Sequence, residues 1–274
     1  MSRLTLKNKV VFSGVGLHSG KQVSMTLLPA EPGEGYGFSF DGRRYLIQNA
    51  LHTGDGRGTI LTFCGHKIMT VEHLLAALRG LGVDDVTLCP EGIETPLLDG
   101  SALQFYEKLR ETGLAEGPGD PDPLRISSPL YVLSEDERKF CVALPSDRLR
   151  FTYVIEYGDN AIGTQIATVE PTPENFACEL GQCRTFCLYE EVAQMRAMGL
   201  GLGGTVETAL IVKGHDVLTP GGLRRPDEFV RHKILDMMGD LALLGRPVVG
   251  HFIAARAGHA MHQKLIDRIT RAEG

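Results

Sequence analysis

Between Arg225 and Gly245 two periodicities run along one segment, and together they dictate much of what can be built around it. Val230, Ile234, Met237, Met238, Leu241 and Leu244 recur at helical spacing and make an apolar face that other elements must cover. His232, Asp236 and Asp240 recur at i, i+4 and i+8, so they form a single polar stripe on the same helix. Pro226 suits a first helical position because its missing N–H would have no partner there. Asp227 and Glu228 complement the positive helix end, and Gly245 before Arg246-Pro247 supplies a stop. The spacing therefore predicts one helix, starting at Pro226 and ending before Gly245, with three titratable groups in line. A His and an Asp four residues apart can grip one divalent cation, the geometry that His-Glu-x-x-His uses with two imidazoles. A solvated helix face would show the same stripe, so the rest of the chain must decide.

At 274 residues and 43% hydrophobic content the chain can bury a substantial core as one large or two ordinary domains. A net charge of −6 argues against a general nucleic-acid partner, while leaving room for a local basic pocket that takes a phosphorylated small molecule. The first residues, Met-Ser-Arg-Leu-Thr-Leu-Lys, lack a signal-peptide core, and no apolar run approaches the ~18 residues of a spanning helix. A cytoplasmic protein with no membrane span is expected. In that setting the six cysteines, at 64, 89, 141, 178, 183 and 187, are expected to be reduced thiols.

The first half predicts strands at Leu4–Ser13 and Gln22–Leu28 joined by a glycine-containing loop that carries His18. Strands at Tyr36–Ile47 and Thr59–Phe63 follow, linked through Gly54-Asp-Gly-Arg-Gly58. Next comes a helix with Thr70 as its N-cap and Glu72 and His73 in its first turn. A carboxylate beside a potential ligand imidazole is what metal-assisted hydrolysis needs, one residue for the metal and the other for protons. After a strand at Asp85–Cys89 and a helix at Ala102–Thr112, Gly113–Asp122 reads as a linker. The boundary is placed near Pro121, giving units 1–120 and 121–274.

The second half predicts strands at Leu130–Leu133, Lys139–Ala143, Arg150–Tyr157, Ile166–Val169, Glu207–Val212 and Val248–Ala255. His259 falls in the loop after the last of them, before a short terminal helix. Each half has a His-bearing helix with a Leu-Gly stop, which predicts a duplicated α+β unit. The second adds a helical stretch from Glu190 leading into Gly199-Leu-Gly-Leu-Gly-Gly204. Its G-x-G-x-x-G form follows a helix, where a dinucleotide site requires a strand, so that reading is rejected.

These stretches resemble the UDP-3-O-acyl-N-acetylglucosamine deacetylase family, the zinc amidases of lipid A biosynthesis. The likeness rests on Gly14-Val-Gly-Leu-His18-Ser-Gly20, Thr70-Val-Glu72-His73-Leu, Leu98-Asp-Gly-Ser101, Arg184-Thr185-Phe186, Gly201–Gly204, Glu228-Phe-Val-Arg-His232-Lys233 through Gly239-Asp240, and Gly258-His259-Ala260. Departures lie between the motifs: residues 33–59 are compact, and Tyr157-Gly-Asp-Asn160 replaces a more usual aromatic-Asn-His-Pro run. The resemblance implies two α+β domains of sheet packed on helices with the site between them, and a monomer acting on a UDP-acyl-sugar. It implies one Zn²⁺ on His73, His232 and Asp236, with Glu72 as general base. Thr185 would help stabilise the oxyanion, and His259, held as imidazolium by Asp240, would serve the leaving amine. Lys233 and Lys139 would serve the diphosphate and sugar, and His18 would also contact substrate. The insert at about 186–204 would form an apolar passage for the fatty acyl chain, with Phe186, Met195 and Leu200 among its walls. Two other readings stay open: a zinc amidohydrolase of another small N-acetylated sugar, and a non-catalytic relative that only binds.

Overall fold

The computed structural model describes residues 2–53, 57–136 and 138–273. Of the predicted glycine-rich connection Gly54–Gly58, residues 54–56 lie outside this set.

The fold is α+β, and the duplication is explicit in its strand order. In the first half β1 (Val10–Val15), β2 (Gln22–Pro29), β3 (Tyr36–Phe40), β4 (Arg43–Leu46) and β5 (Val86–Glu91) form a sheet in the order β1-β2-β5-β3-β4. In the second half β6 (Leu130–Leu133), β7 (Phe140–Leu144), β8 (Leu149–Glu156), β9 (Thr164–Val169) and β10 (Val248–Ala255) repeat it as β6-β7-β10-β8-β9. In both sheets a parallel pair, β3–β5 and β8–β10, sits at the same place in the order, and the second sheet adds the short strand Leu124–Arg125, parallel to the start of β10. Each last strand lies between two helices: α1 (Glu72–Gly80) and α2 (Leu103–Thr112), then α4 (Glu228–Leu241) and α5 (His259–Glu273). Each unit also carries an insert between its fourth strand and its first helix. The first is a three-stranded sheet over residues 51–69; the second holds strands Phe186–Leu188, Leu210–Lys213 and Asp216–Val217 with α3 (Tyr189–Ala197).

Alternation along the strands places the core. Phe151, Tyr153 and Ile155 on β8 and Val23, Met25 and Leu27 on β2 point inward and are buried, as period-2 patterning requires. α2 covers β1, α5 covers β6 and β7, and α1 packs directly on α4, so the helices of the two units meet in the middle. Val230, Ile234, Met237, Met238, Leu241 and Leu244 are all buried there. Among the described residues no helix is long and apolar enough to cross a membrane.

Several element boundaries differ from expectation for local reasons. The predicted strand Leu4–Ser13 breaks at exposed Lys7-Asn8-Lys9, and its first part, Arg3–Leu6, pairs with Leu114–Gly117 inside the segment expected to be a linker. Tyr36–Ile47 is a hairpin, because Asp41 and Gly42 both adopt positive φ, as a two-residue turn of primed type requires. Thr70 does not cap α1; its φ is 56° and its hydroxyl donates to Glu94. α4 starts at Glu228 and not at Pro226, since Asp227 is tied by Arg225 and Arg231 in a preceding turn. Strand Leu210–Lys213 begins after Glu207, and α5 opens at His259, which is a helical residue rather than a loop one.

Candidate active site

α1 and α4 cross where Gly239 meets the backbone of Glu72. A Cβ on residue 239 would stand 2.0 Å from the Glu72 carbonyl oxygen, so only glycine permits the approach. This crossing sets the first turn of α1 against the polar stripe of α4. Glu72, His73, His232, Asp236 and Asp240 end up buried, each 4% exposed or less. The stripe is therefore no solvated face.

His73 Nε2 lies 3.5 Å and His232 Nε2 lies 3.2 Å from Asp236 Oδ1, and ligand-type atoms of the three residues fall within 4.8 Å of one another. Asp236 Oδ1 is buried without a hydrogen-bond partner. A buried carboxylate oxygen left unpaired between two imidazoles is costly unless a positive charge fills the gap. His232 Nδ1 donates to the Cys183 carbonyl at 3.0 Å, which leaves the Nε2 lone pair directed at that gap. Burial pushes the His232 pKa down to about 3, so the ring is neutral at pH 7, as a ligand must be. Two imidazoles and a carboxylate suit a divalent transition metal, and three protein ligands leave a coordination position open.

Cys183 is itself held in place from the start of α4. Glu228, fully buried, accepts from the Arg184 backbone N–H (3.0 Å) and guanidinium Nε (2.8 Å), and from the Arg224 N–H (2.6 Å). Its role is thus to anchor the His232 orienter, more than to answer the helix dipole.

Beside the triad, Glu72 accepts the Thr59 N–H at 3.1 Å, and burial raises its pKa. His259 Nε2 is 3.8 Å from Glu72 Oε1, while its Nδ1 donates to Asp240 Oδ2 at 2.7 Å. The Thr59 hydroxyl donates to the other Asp240 oxygen. Burial opposes charge on His259, but Asp240 outweighs it, with help from Glu72 and Asp236, and the pKa rises to about 9. Asp240 stays ionised: burial works against it, and His259 with His262 holds its pKa well below the usual range. A proton acceptor and a proton donor thus face each other across one small space.

One cavity of about 870 Å³ takes in both groups. Of the residues expected at the site, Glu72, His73, Thr185, Phe186, Met195, His232, Lys233, Asp236, His259, Lys139 and His18 line it. Asp240 sits behind His259. Leu200 is not on the wall; its N–H closes the turn after α3 on the Met195 carbonyl, while Val192 lines the cavity with Met195. Leu202 and Met198 are 50% and 58% exposed and also lie off the wall. Lys233 is not a free cation: Nζ donates to Asp236 Oδ2 and lies 5.5 Å from the Phe186 ring centroid.

A profile of the UDP-3-O-acyl N-acetylglycosamine deacetylase family matches residues 3–271. The chain belongs to that family. It is 41% identical over 270 residues to the UDP-3-O-acyl-N-acetylglucosamine deacetylase of Nitratidesulfovibrio vulgaris, covering 97% of this chain and 87% of that protein. The protein of the same name from Chlamydia trachomatis serovar D is 40% identical over 272 residues, with 98% and 94% covered. Deacetylase activity therefore stands on family membership.

Four contributors were not singled out in the sequence. Glu94, fully buried, accepts from the His18 N–H (2.7 Å), the Ser19 N–H (2.9 Å) and the Thr70 hydroxyl (3.0 Å), pinning the loop that presents His18. His18 Nδ1 accepts the Gly201 N–H, so its Nε2, which has no partner, is left as a donor. Arg57 lines the cavity and pairs through both terminal nitrogens with Glu191 on α3, joining the two inserts. Thr59 and His262 complete the setting of Asp240. Only His262 had a usable clue, its i, i+3 spacing from His259.

Proposed function

We propose that the protein releases acetate from UDP-3-O-acyl-N-acetylglucosamine, the committed step of lipid A biosynthesis, as a zinc-dependent amide hydrolase. The observation that carries this reading is the unpaired Asp236 Oδ1 between two imidazole Nε2 atoms, with Glu72 and His259 beside it. His73, His232 and Asp236 would hold the ion, which supplies Lewis acidity to the amide carbonyl and the attacking water without redox chemistry.

The remaining work falls to side chains of this chain. Glu72 takes the water proton, and its burial-raised pKa makes it a stronger base than an exposed carboxylate. Thr185 on the cavity wall gives a hydroxyl to the developing oxyanion. His259 enters the reaction as imidazolium, because Asp240 keeps it charged, and hands its proton to the leaving amine. His18, Lys139 and Lys233 are polar groups of the cavity wall that would serve sugar and diphosphate, Lys233 sharing its ammonium with Asp236. Phe186, Val192 and Met195 give the wall its apolar side, where the acyl chain would lie.

Product analysis tests this reading. Each buried methylene contributes up to ~0.8 kcal/mol, less the ordering of the chain, so removing four acyl carbons should lower kcat/KM by about two orders of magnitude. Met195→Asp should reproduce much of that loss on the long substrate alone. Equal kcat/KM for acylated and unacylated UDP-N-acetylglucosamine would reject the acyl wall and favour a hydrolase of a simpler N-acetylated sugar.

A further inference from the structure

Behind the His259–Asp240 pair lies a second histidine that the mechanism above leaves unused. His262, on the next turn of α5, is fully buried. Its Nδ1 is 2.7 Å from Asp240 Oδ2, the same oxygen that His259 Nδ1 reaches at 2.7 Å. Its Nε2 is 2.9 Å from the hydroxyl of Tyr153, a fully buried residue on the inner face of β8.

The tautomer follows from the partners. Asp240 is ionised and can only accept, so His262 must donate through Nδ1–H; burial keeps the ring neutral, so Nε2 accepts from Tyr153 O–H. The chain of donors therefore runs in one direction: Tyr153 O–H to His262 Nε2, His262 Nδ1–H to Asp240 Oδ2, with His259 Nδ1–H entering the same oxygen from the other side. Thr59 fills Oδ1. Asp240 χ2 is a terminal sp³–sp² torsion with a broad well, so nothing intrinsic fixes the carboxylate plane. Three donors, two from α5 and one from Thr59, fix it here. The Tyr153 end anchors the array to the sheet of the second unit, while His259 presents its Nε2 to the cavity.

We propose that His262 is a positioning residue which, with Tyr153, locks the Asp240 carboxylate so that His259 Nε2 is held over the reacting bond. The inference rests on the hydrolase reading for its kinetic consequence, but not for its geometric one. Losing an outer partner of a functional group typically costs 10- to 100-fold.

Three variants test it. His262→Leu removes both hydrogen bonds and leaves the Tyr153 hydroxyl without an acceptor. The double variant His262→Leu/Tyr153→Phe removes that orphan as well, which guards against simple misfolding. His262→Asn places an amide N–H where Nδ1 stood and restores donation to Asp240 alone. In both leucine variants kcat should fall roughly 10- to 100-fold, with KM within about twofold and metal content unchanged. The asparagine variant should recover most of the lost kcat. Independently of activity, histidine-labelled protein observed by NMR should show the His259 ring N–H well protected from exchange in the wild type and in His262→Asn, and at least about tenfold less protected in the leucine variants. Unchanged kcat and unchanged His259 N–H protection in the double variant would overturn the proposal. If no form releases acetate while the protection pattern is as expected, the substrate assignment fails and the positioning role stands.

Discussion

Replacing Glu72 by Gln is expected to leave the metal content at the wild-type level and to reduce acetate release by about 10²- to 10⁴-fold, the range for removing a proton-transfer group. The side chains are isosteric, and the amide oxygen still accepts the Thr59 N–H, so the first turn of α1 has no reason to move. His73, His232 and Asp236 remain as they were, and the Gly239 contact with the Glu72 backbone is untouched. What is lost is a buried base that can accept the water proton. Metal analysis and single-turnover kinetics on the same sample separate the two effects. A Glu72→Gln protein without metal would contradict the division between ligands and proton carrier.

His259→Ala is expected to lower turnover by a similar factor and to change the shape of the pH profile. With Glu72 as the proposed base and His259 as the proposed acid, kcat/KM should be bell-shaped, requiring the first ionised and the second protonated. Burial raises the Glu72 pKa and a cation on the neighbouring ligands opposes that rise; activity falls as pH drops through the balance of the two. His259 loses its proton as pH rises through about 9, so activity falls on that side. A cation at Asp236 withdraws that carboxylate's share of the support and moves this limb downward, leaving Asp240 as the main prop. Asp240→Asn should move it further down, toward the unperturbed histidine value of about 6.5, because the charge that favours imidazolium is gone. The limb should vanish in His259→Ala; if it survives unchanged in that variant, the acid has been misassigned.

How much of this was legible in the sequence depends on whether a residue's role is local. The stripe His232, Asp236, Asp240 and the pair Glu72-His73 sit at spacings that helical geometry alone places on one face or one turn, and the structure brings both stripes together. That they meet is decided by Gly239, whose approach to the Glu72 backbone no periodicity announces. The duplication was visible as two His-bearing helices with Leu-Gly ends, yet the matched strand order needed the long-range pairing of β5 and β10 with strands far away in the chain. Glu228 read as a dipole-compensating acid because its partner Arg184 lies 44 residues earlier. Glu94, Arg57 and Thr59 act through contacts across the two inserts and had nothing in their neighbours to mark them. Leu200 was expected on the cavity wall from the resemblance and its apolar character, but the turn of Gly199 and Gly201 carries it off the surface that Val192 and Met195 line.

The central claim is that one zinc ion, held by His73, His232 and Asp236, is required for amide hydrolysis at this site. The direct measurement is to strip the protein with a chelator and titrate Zn²⁺ back while following acetate release from UDP-3-O-acyl-N-acetylglucosamine. The expected result is no activity at the start, a linear rise, and saturation at about one equivalent, the stoichiometry of a single catalytic site, with Asp236→Ala failing to recover at any point. Full acetate release by the stripped protein, or full recovery by Asp236→Ala at one equivalent, would contradict it.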